Sequence, residues 1–226
     1  MQYINIIHCS QVKYFHKHVI IYSNIYTIKN FNNDTIDKMK NVEFLSLRNI
    51  DVTFSKQLKS VKQLELISSI MRSPVSVEHL VSINSIIYNI KYCRRLCAHM
   101  TPNINMSNIN TFNNLISLTM DNISRGYNLE HHNNLQDVTL SNILCPYAYI
   151  KLPKSVKRIT VMNIRYMNIL LDDLELDYIT IINYRTDDLY GVLSKAKNIK
   201  TLNYVNVGCI NELRNCSKVA EVVDVS

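Results

Sequence analysis

The sequence predicts an α/β solenoid in which a parallel β-sheet grows by one strand per repeat. Two observations lead to this fold class. One apolar pattern recurs along most of the chain, and its copies begin about every 20 residues. Between the copies, the spacing of apolar residues changes to that of short helices or becomes irregular. We therefore expect short irregular helices, 3₁₀ turns and loops on the side away from the sheet.

The repeated pattern is an apolar residue, two variable residues, an apolar residue, one variable residue and a third apolar residue. It is clearest at Leu115, Leu118 and Met120. The regular copies begin at Val42, Val61, Leu115, Leu135, Val156, Leu176 and Ile199. Weaker copies begin at Ile83 and Val219, and a candidate first copy includes Val19 and Ile21. From Leu115 onward the starts differ by 20, 21, 20, 23 and 20 residues.

The centre of each copy predicts a short strand, because alternating apolar residues place one face inward and the other outward. One strand in each repeat cannot pair as a hairpin, so the rest of the repeat must carry the chain back. The strands are then parallel, and each coil buries its apolar residues against its neighbours.

The repeats define the expected domain organisation. Residues 36–226 are predicted to form an array of about eight to nine repeats. Residues 1–35 are either an N-terminal capping segment or a degenerate first repeat. The 32-residue gap between the starts at Ile83 and Leu115 indicates an insertion or a degenerate repeat near residues 90–112.

Some return segments have helical spacing. One has apolar residues at the positions that share a helix face, which are Leu189, Val192, Leu193 and Ala196. Another has them at every third position, which suits a short helix or 3₁₀ turn, at Ile210, Leu213 and Cys216. Asp34 is a candidate N-cap for a short helix that buries Ile36 and Met39, whereas Pro153 favours an extended return.

The blocks LKSVKQLEL, FNNLISLTMDNI and NLQDVTLSNI resemble the strand-and-turn half of the leucine-rich-repeat superfamily. The resemblance covers roughly residues 36–226. It implies a parallel sheet on the concave face, helices and loops on the convex face, and recognition of proteins through the concave face. It implies no particular ligand, because function lies in surface residues and not in the fold.

The sequence departs from the family pattern after each strand. The family places asparagine at the ninth position of the repeat, where it bonds the backbone of neighbouring coils. Here the ninth position is apolar and asparagine occupies the eighth, at Asn49, Asn122, Asn142, Asn163, Asn183 and Asn206. Either the local register shifts by one, or the loop is packed by apolar residues while asparagine tolerates a tight turn. We favour the second alternative.

Composition indicates the kind of source. The 226-residue chain is 47% hydrophobic and rich in Ile and Asn, with 3 Gly and no Trp. An AT-rich coding sequence produces this bias, which is typical of a large DNA virus such as a poxvirus, or of an AT-rich parasite. We therefore expect a viral or parasite protein that engages a host protein.

The net charge of +7 raises the question of nucleic-acid binding. Residues 1–100 carry 13 Lys and Arg against 6 Asp and Glu, while residues 101–226 carry 12 against 12. The excess is spread thinly over the first half, so nucleic-acid binding through this half ranks below a protein partner.

The sequence predicts an intracellular location, most simply cytoplasmic. The N-terminus lacks the basic and apolar regions of a signal peptide, and no apolar stretch approaches the roughly 20 residues that span a bilayer. We therefore expect no membrane contact. The six cysteines have no framework spacing, which indicates free thiols in a reducing compartment.

Outward residues of the predicted strands are the candidate site for a partner. The central column contains four consecutive threonines, which suit an exposed sheet face. The flanking columns contain Phe, Arg, Met and Tyr, the types enriched at interface centres. The candidate partner-binding residues on the concave face are Phe44, Arg48, Glu65, Thr119, Thr139, Arg158, Thr160, Met162, Tyr178 and Thr180.

No motif predicts catalysis, and we expect neither an enzyme nor a cofactor. Cys93, Cys97 and His99 have a metal-like spacing, but no second pair completes a tetrahedral site. We interpret the two cysteines as buried thiols on one helix face, so no metal is expected.

The leading function is therefore a non-enzymatic protein–protein interaction scaffold. The alternatives are a ubiquitin-ligase-type substrate receptor and nucleic-acid binding through the basic N-terminal half. Residues 1–35 are short and strand-like for the three-helix box that such receptors carry, which ranks that alternative lower. The sequence specifies neither the partner nor the oligomeric state.

Overall fold

The computed structural model describes residues 1–88, 90–99, 114–123, 126–143, 145–147, 149–164, 169–184, 189–208 and 214–225. The chain forms a parallel β-solenoid of about ten turns with few short helices. It divides into two units, Met1–Phe112 (unit 1) and Asn113–Ser226 (unit 2). The repeated apolar pattern therefore produces the parallel, one-strand-per-coil architecture that the sequence predicts.

Unit 1 carries a main sheet of parallel strands. In chain order its strands are β1 (Gln2–Asn5), β2 (His18–Phe31), β3 (Phe44–Phe54), β4 (Gln63–Ile67), β5 (Ile70–Met71), β6 (Val75–Ile83), β7 (Ile86–Ile87) and β8 (Ile90–His99). The main sheet follows the order β1-β2-β3-β4-β6-β8. One inward row runs through Leu45, Leu64, Leu80 and Leu96, which pair in register and are all buried.

The coils of unit 1 differ in length. Leu45 to Leu64 spans 19 residues, but Leu64 to Leu80 and Leu80 to Leu96 span 16 each. The weak copy expected at Ile83 is therefore out of register, because Leu80 and Ser82 are the partners of Leu64 and Leu66. The inward Ser82 interrupts the apolar pattern there. Strand β8 lies within the range 90–112, whose residues from 100 onward are outside those described.

Residues 1–35 hold two strands of the same sheet. Val19 and Ile21 pair with Leu45 and Leu47, which confirms the candidate first copy. Ile4 in turn pairs with Ile21 from the preceding strand. A 3₁₀ helix, Ile6–Gln11, connects β1 to β2. These residues therefore form solenoid coils and not a three-helix box.

Unit 2 repeats the arrangement with longer coils. Its strands are β9 (Ser117–Ile123), β10 (Tyr127–Asn128), β11 (Asp137–Ile143), β12 (Ile150–Lys151), β13 (Arg158–Met162), β14 (Ile169–Leu170), β15 (Glu175–Tyr184), β16 (Asn198–Val207) and β17 (Val219–Asp224). The main sheet follows the order β9-β11-β13-β15-β16-β17, and every pair is parallel.

Several return segments form strands where the sequence predicts mainly helices and loops. In unit 1, β5 and β7 continue a row that begins in the second half of β3, so that Asp51, Ile70 and Ile86 are partners. In unit 2, β10, β12 and β14 form a separate three-stranded parallel sheet. The returns therefore stack coil on coil by backbone hydrogen bonds as well as by apolar contacts.

The short helices lie close to their predicted positions. Helix α1 (Asn33–Lys38) buries Ile36, and its C-cap Met39 is also buried, but its N-cap is Asn32. The Asn32 side chain accepts a hydrogen bond from the Thr35 backbone N–H at 3.0 Å, so Asp34 lies in the first turn and the predicted cap is wrong.

Helix α2 (Leu189–Leu193) confirms the helical spacing of its return segment, and its apolar residues are buried. Of the second predicted helix, Ile210 and Leu213 lie outside the described residues. Among those residues, no helix is long and apolar enough to span a membrane.

One left-handed residue ends the main-sheet part of each described coil. The residues share φ values of 46–57°, and they are Asn49, Ser68, Asn84, Asn122, Asn142, Asn163, Asn183 and Asn206. Asparagine tolerates this conformation better than other non-glycine residues. The favoured alternative, a tight turn with asparagine at the eighth position, is thus confirmed.

The asparagine side chains also connect neighbouring coils. Asn183 Nδ2 donates to Asn163 Oδ1 at 2.7 Å, and Asn206 Nδ2 donates to Asn183 Oδ1 at 3.0 Å. Both contacts are at the surface, so water competes for them and each contributes little to stability. The conformational preference of asparagine is therefore the larger reason for its recurrence.

We expect substitutions at Asn183 to follow backbone preference. Asn183→Val should lower the free energy of unfolding by about 2 kcal/mol, because a β-branched residue resists positive φ, whereas Asn183→Gly should cost less than about 1 kcal/mol. Denaturant unfolding measures both. Equal losses for glycine and valine would show instead that the side-chain hydrogen bonds dominate.

The ninth position is buried and mostly apolar, but two coils of unit 1 place serine there. Ser69 Oγ donates to the carbonyls of Ile67 and Leu47 at 2.8 and 3.0 Å and accepts from the Ile50 N–H at 3.1 Å. Ser85 Oγ accepts from the Ser69 N–H at 3.0 Å. These hydroxyls satisfy buried backbone groups between coils, which is the role that the family pattern gives to asparagine.

Candidate functional site

The outer face of the main sheet in unit 2 carries three columns of side chains. The central column is a ladder of threonines in register, Thr119, Thr139, Thr160 and Thr180. All four are half-buried, and Asn203 continues the column by donating from Nδ2 to Thr180 Oγ1 at 3.3 Å. Their β-branched side chains fit the pleated surface and keep this part of the face flat.

The column on the N-terminal side of the threonines is charged and aromatic. Asp137, Arg158 and Tyr178 are consecutive partners in β11, β13 and β15. Arg158 donates from Nε and Nη2 to the two oxygens of Asp137, the second at 2.6 Å. This hydrogen bonding raises the pKa of the Arg158 guanidinium further. Tyr178, 39% exposed, lies next to the ion pair.

The column on the C-terminal side becomes apolar along the sheet. It begins with Ser141, whose Oγ donates to Asp121 Oδ1 at 2.7 Å. It continues in register through Met162, Ile182 and Val205, all half-buried. The sequence identified Met162 as a site residue, whereas the apolar strip that it begins is visible only from the register.

Seven predicted face residues therefore lie on one face of unit 2: Thr119, Thr139, Arg158, Thr160, Met162, Tyr178 and Thr180. The other three, Phe44, Arg48 and Glu65, lie on the outer face of the main sheet in unit 1. Their partner-binding role remains a prediction.

The predicted residues of unit 1 form a small polar cluster. Ser46 Oγ donates to Glu65 Oε2 at 2.5 Å, and Arg48 Nε donates to Ser46 Oγ at 3.2 Å. Arg48 Nη2 lies 3.4 Å from the same Glu65 oxygen. Phe44 contacts His18, with ring centroids 6.1 Å apart. Arg48 and Glu65 are therefore held by each other before any partner is present.

The Cys93–His99 segment is a strand, so its predicted helix is wrong. Cys93 is buried, and burial raises the pKa of its thiol to about 12. Cys97 is half-buried, and its Sγ lies 2.9 Å from His99 Nε2 on the same strand. The alternation of strand β8 explains why Cys97 and His99 are neighbours two residues apart.

A second surface in unit 1 was missed by the sequence reasoning. Arg72 donates from Nε and Nη2 to the two oxygens of Asp51 at 2.7 and 2.5 Å. The Asp51 side chain is 3% exposed, while that of Arg72 is 48% exposed and lies over the Tyr88 ring at 5.6 Å. The signal was present, because period-two alternation continues beyond Ile50 through Asp51 and Thr53.

Charged side chains form ladders where the main-sheet strands begin. In unit 1, Glu43 lies between Lys17 and Lys62, at 3.1 and 3.7 Å. The hydrogen bond with Lys17 lowers the pKa of Glu43. In unit 2, Asp177 and Lys200 pair at 2.6 Å, which lowers the pKa of Asp177. Alternating charges on successive coils favour the observed register, although each exposed pair contributes little to stability.

Comparison with known proteins adds no functional assignment. No protein-family model matches the chain, and no curated protein matches its sequence.

Proposed function

We propose that this chain is a non-enzymatic interaction scaffold that binds a protein partner through the outer face of the main sheet in unit 2. The observation that carries the proposal is the combination on one sheet of an exposed tyrosine, a fixed arginine and an apolar strip. Tyr178 supplies the aromatic anchor and Arg158 the oriented guanidinium, while the strip is formed by Met162, Ile182 and Val205.

The physical case is preorganisation. Parallel strands hold these side chains at fixed spacing, so little conformational entropy is lost when a partner binds. The Asp137 carboxylate orients the Arg158 guanidinium and leaves its remaining N–H groups for an acceptor on the partner. The complementary surface therefore has apolar residues opposite the strip and hydrogen-bond acceptors opposite Arg158 and Tyr178.

The finer assignment goes with this proposal. The chain is a variant of the leucine-rich-repeat type, with this sheet face as its concave binding face and the returns on the convex side. The AT-rich composition supports a virus or parasite source, and hence a host protein as partner. The free cysteines support a reducing, cytoplasmic compartment.

Tyr178→Ala tests the proposal, with Tyr190→Ala as its matched control. Both tyrosines are in unit 2 and similarly exposed, at 39% and 44%, but Tyr190 is on helix α2. We expect Tyr178→Ala to weaken a partner captured from host-like lysate by about tenfold or more, and the control to retain it.

The measurement is quantitative mass spectrometry of the captured proteins, followed by Kd determination with the enriched partner. Circular dichroism checks that both variants stay folded. Loss of the partner from Tyr190→Ala with retention by Tyr178→Ala would place the binding surface on the return side and contradict the proposal.

A further inference from the structure

One pair of lysines in unit 1 breaks the alternation of charge between coils. Lys40 and Lys59 occupy equivalent positions, each five residues before an inward leucine of neighbouring strands, Leu45 and Leu64. Ser60 Oγ donates to the Met39 carbonyl at 3.1 Å, which holds the two coils together beside them. Because adjacent strands lie about 4.8 Å apart, two like charges are stacked here.

The two lysines line a cleft of about 920 Å³. Its charged lining consists of Lys17, Lys40, Lys59, Lys62, Glu43 and Glu78. Glu43 is already held by Lys17 and Lys62. Neither Lys40 nor Lys59 forms an ion pair within the part of the chain that the structure describes.

Like charges on adjacent coils add no stability, and the neighbouring ladder shows that this fold accommodates alternating ones. An oxyanion between Lys40 and Lys59 would accept a charge-assisted hydrogen bond from each and remove the repulsion. Asn41 and Ser60 supply further polar groups on the same wall of the cleft, and His16 and Tyr92 add rings. The lining therefore suits a ligand with phosphate groups and an organic part.

We propose that this cleft binds a small polyphosphorylated ligand, with one phosphate group held between Lys40 and Lys59. The volume lies within the range of about 300–1,000 Å³ that is typical of small-molecule sites. Two uncommitted cations in one cleft match a few phosphates, whereas a nucleic acid needs cations along an extended path. The site is independent of the protein-binding face proposed for unit 2.

The test is isothermal titration calorimetry of the full chain with sodium tripolyphosphate, beside the double variant Lys40→Ala/Lys59→Ala. The matched control is Lys195→Ala/Lys218→Ala, which removes the same charge from exposed lysines of unit 2. We expect the cleft variant to weaken binding by about tenfold or more and the control to bind as the parent chain does.

A second variant separates binding from folding. Lys40→Glu should pair with Lys59 and extend the alternating ladder, so it should abolish tripolyphosphate binding without lowering the melting temperature. Equal binding by parent and cleft variant, or an equal loss in the control, overturns the proposal. Binding of a 15-mer oligothymidylate while tripolyphosphate gives no signal also overturns it, in favour of single-stranded nucleic acid.

Discussion

Replacing Leu140 with alanine should lower the free energy of unfolding by about 3–5 kcal/mol, as expected for a buried leucine in a core that cannot collapse around the cavity. Leu140 is fully buried in β11, between its register partners Met120 and Val161. Those partners are fixed by backbone hydrogen bonds of parallel strands, so the neighbouring coils have little freedom to fill the space.

Thr139→Ala is the matched control, because Thr139 precedes Leu140 on the same strand and faces outward. We expect it to change the free energy of unfolding by less than about 1 kcal/mol. Guanidinium unfolding measures both. Similar losses for the two variants would mean that the inward and outward faces of this strand have been assigned wrongly.

The loss at Leu140 should also be local, since each coil of a solenoid contacts only its neighbours. Amide hydrogen exchange should therefore accelerate most in β9, β11 and β13. An equal acceleration in every strand of unit 2 would show instead that the unit opens as a whole.

Replacing Arg72 with alanine should lower the free energy of unfolding by about 2–3 kcal/mol. The substitution removes two charge-assisted hydrogen bonds to Asp51, whose side chain is 3% exposed, together with the contact to the Tyr88 ring. A carboxylate left in that position loses the guanidinium that compensates its desolvation. Urea unfolding at neutral pH measures the change.

Two further variants identify the cause. Arg72→Lys keeps the charge but not the two-pronged geometry, so it should recover only part of the loss. Asp51→Val/Arg72→Ala should recover most of it, because Asp51 lies in a row between Ile28 and Ile70 that accepts an apolar side chain. A loss below about 0.5 kcal/mol for Arg72→Ala would mean that the pair behaves as an ordinary solvent-screened bridge.

The parallel solenoid could be predicted because its cause is local and repeated. A strand with alternating burial needs only apolar residues two apart, and their return at similar intervals leaves parallel stacking as the available arrangement. The left-handed asparagines were predicted for the same reason, since one residue type recurs at one offset from each strand.

The short coils of unit 1 could not be predicted from the same pattern. Their inward row contains Ser82 in place of an apolar residue, and their length is 16 residues, so the apolar spacing pointed to Ile83 instead. Backbone pairing with β4 fixes the register there, and hydrogen bonding between strands leaves no mark on residue type.

The candidate sites divide in the same way. Outward residues follow from alternation, so the Thr160 and Tyr178 columns could be read from the sequence. The Asp51–Arg72 pair joins residues 21 apart on two coils, and Lys40 and Lys59 become neighbours only when coils stack. Such contacts depend on coil length, which the sequence pattern defines least well.

The left-handed residue that ends the main-sheet part of each described coil also bears on how such a chain can evolve. Because the same backbone conformation recurs at the same offset, the segment from one such residue to the next is an interchangeable module. Duplication or deletion of a whole module by unequal recombination would preserve every strand register on both sides of the junction. A gene of this design can therefore change the length of its product in single-coil steps without passing through unfolded intermediates.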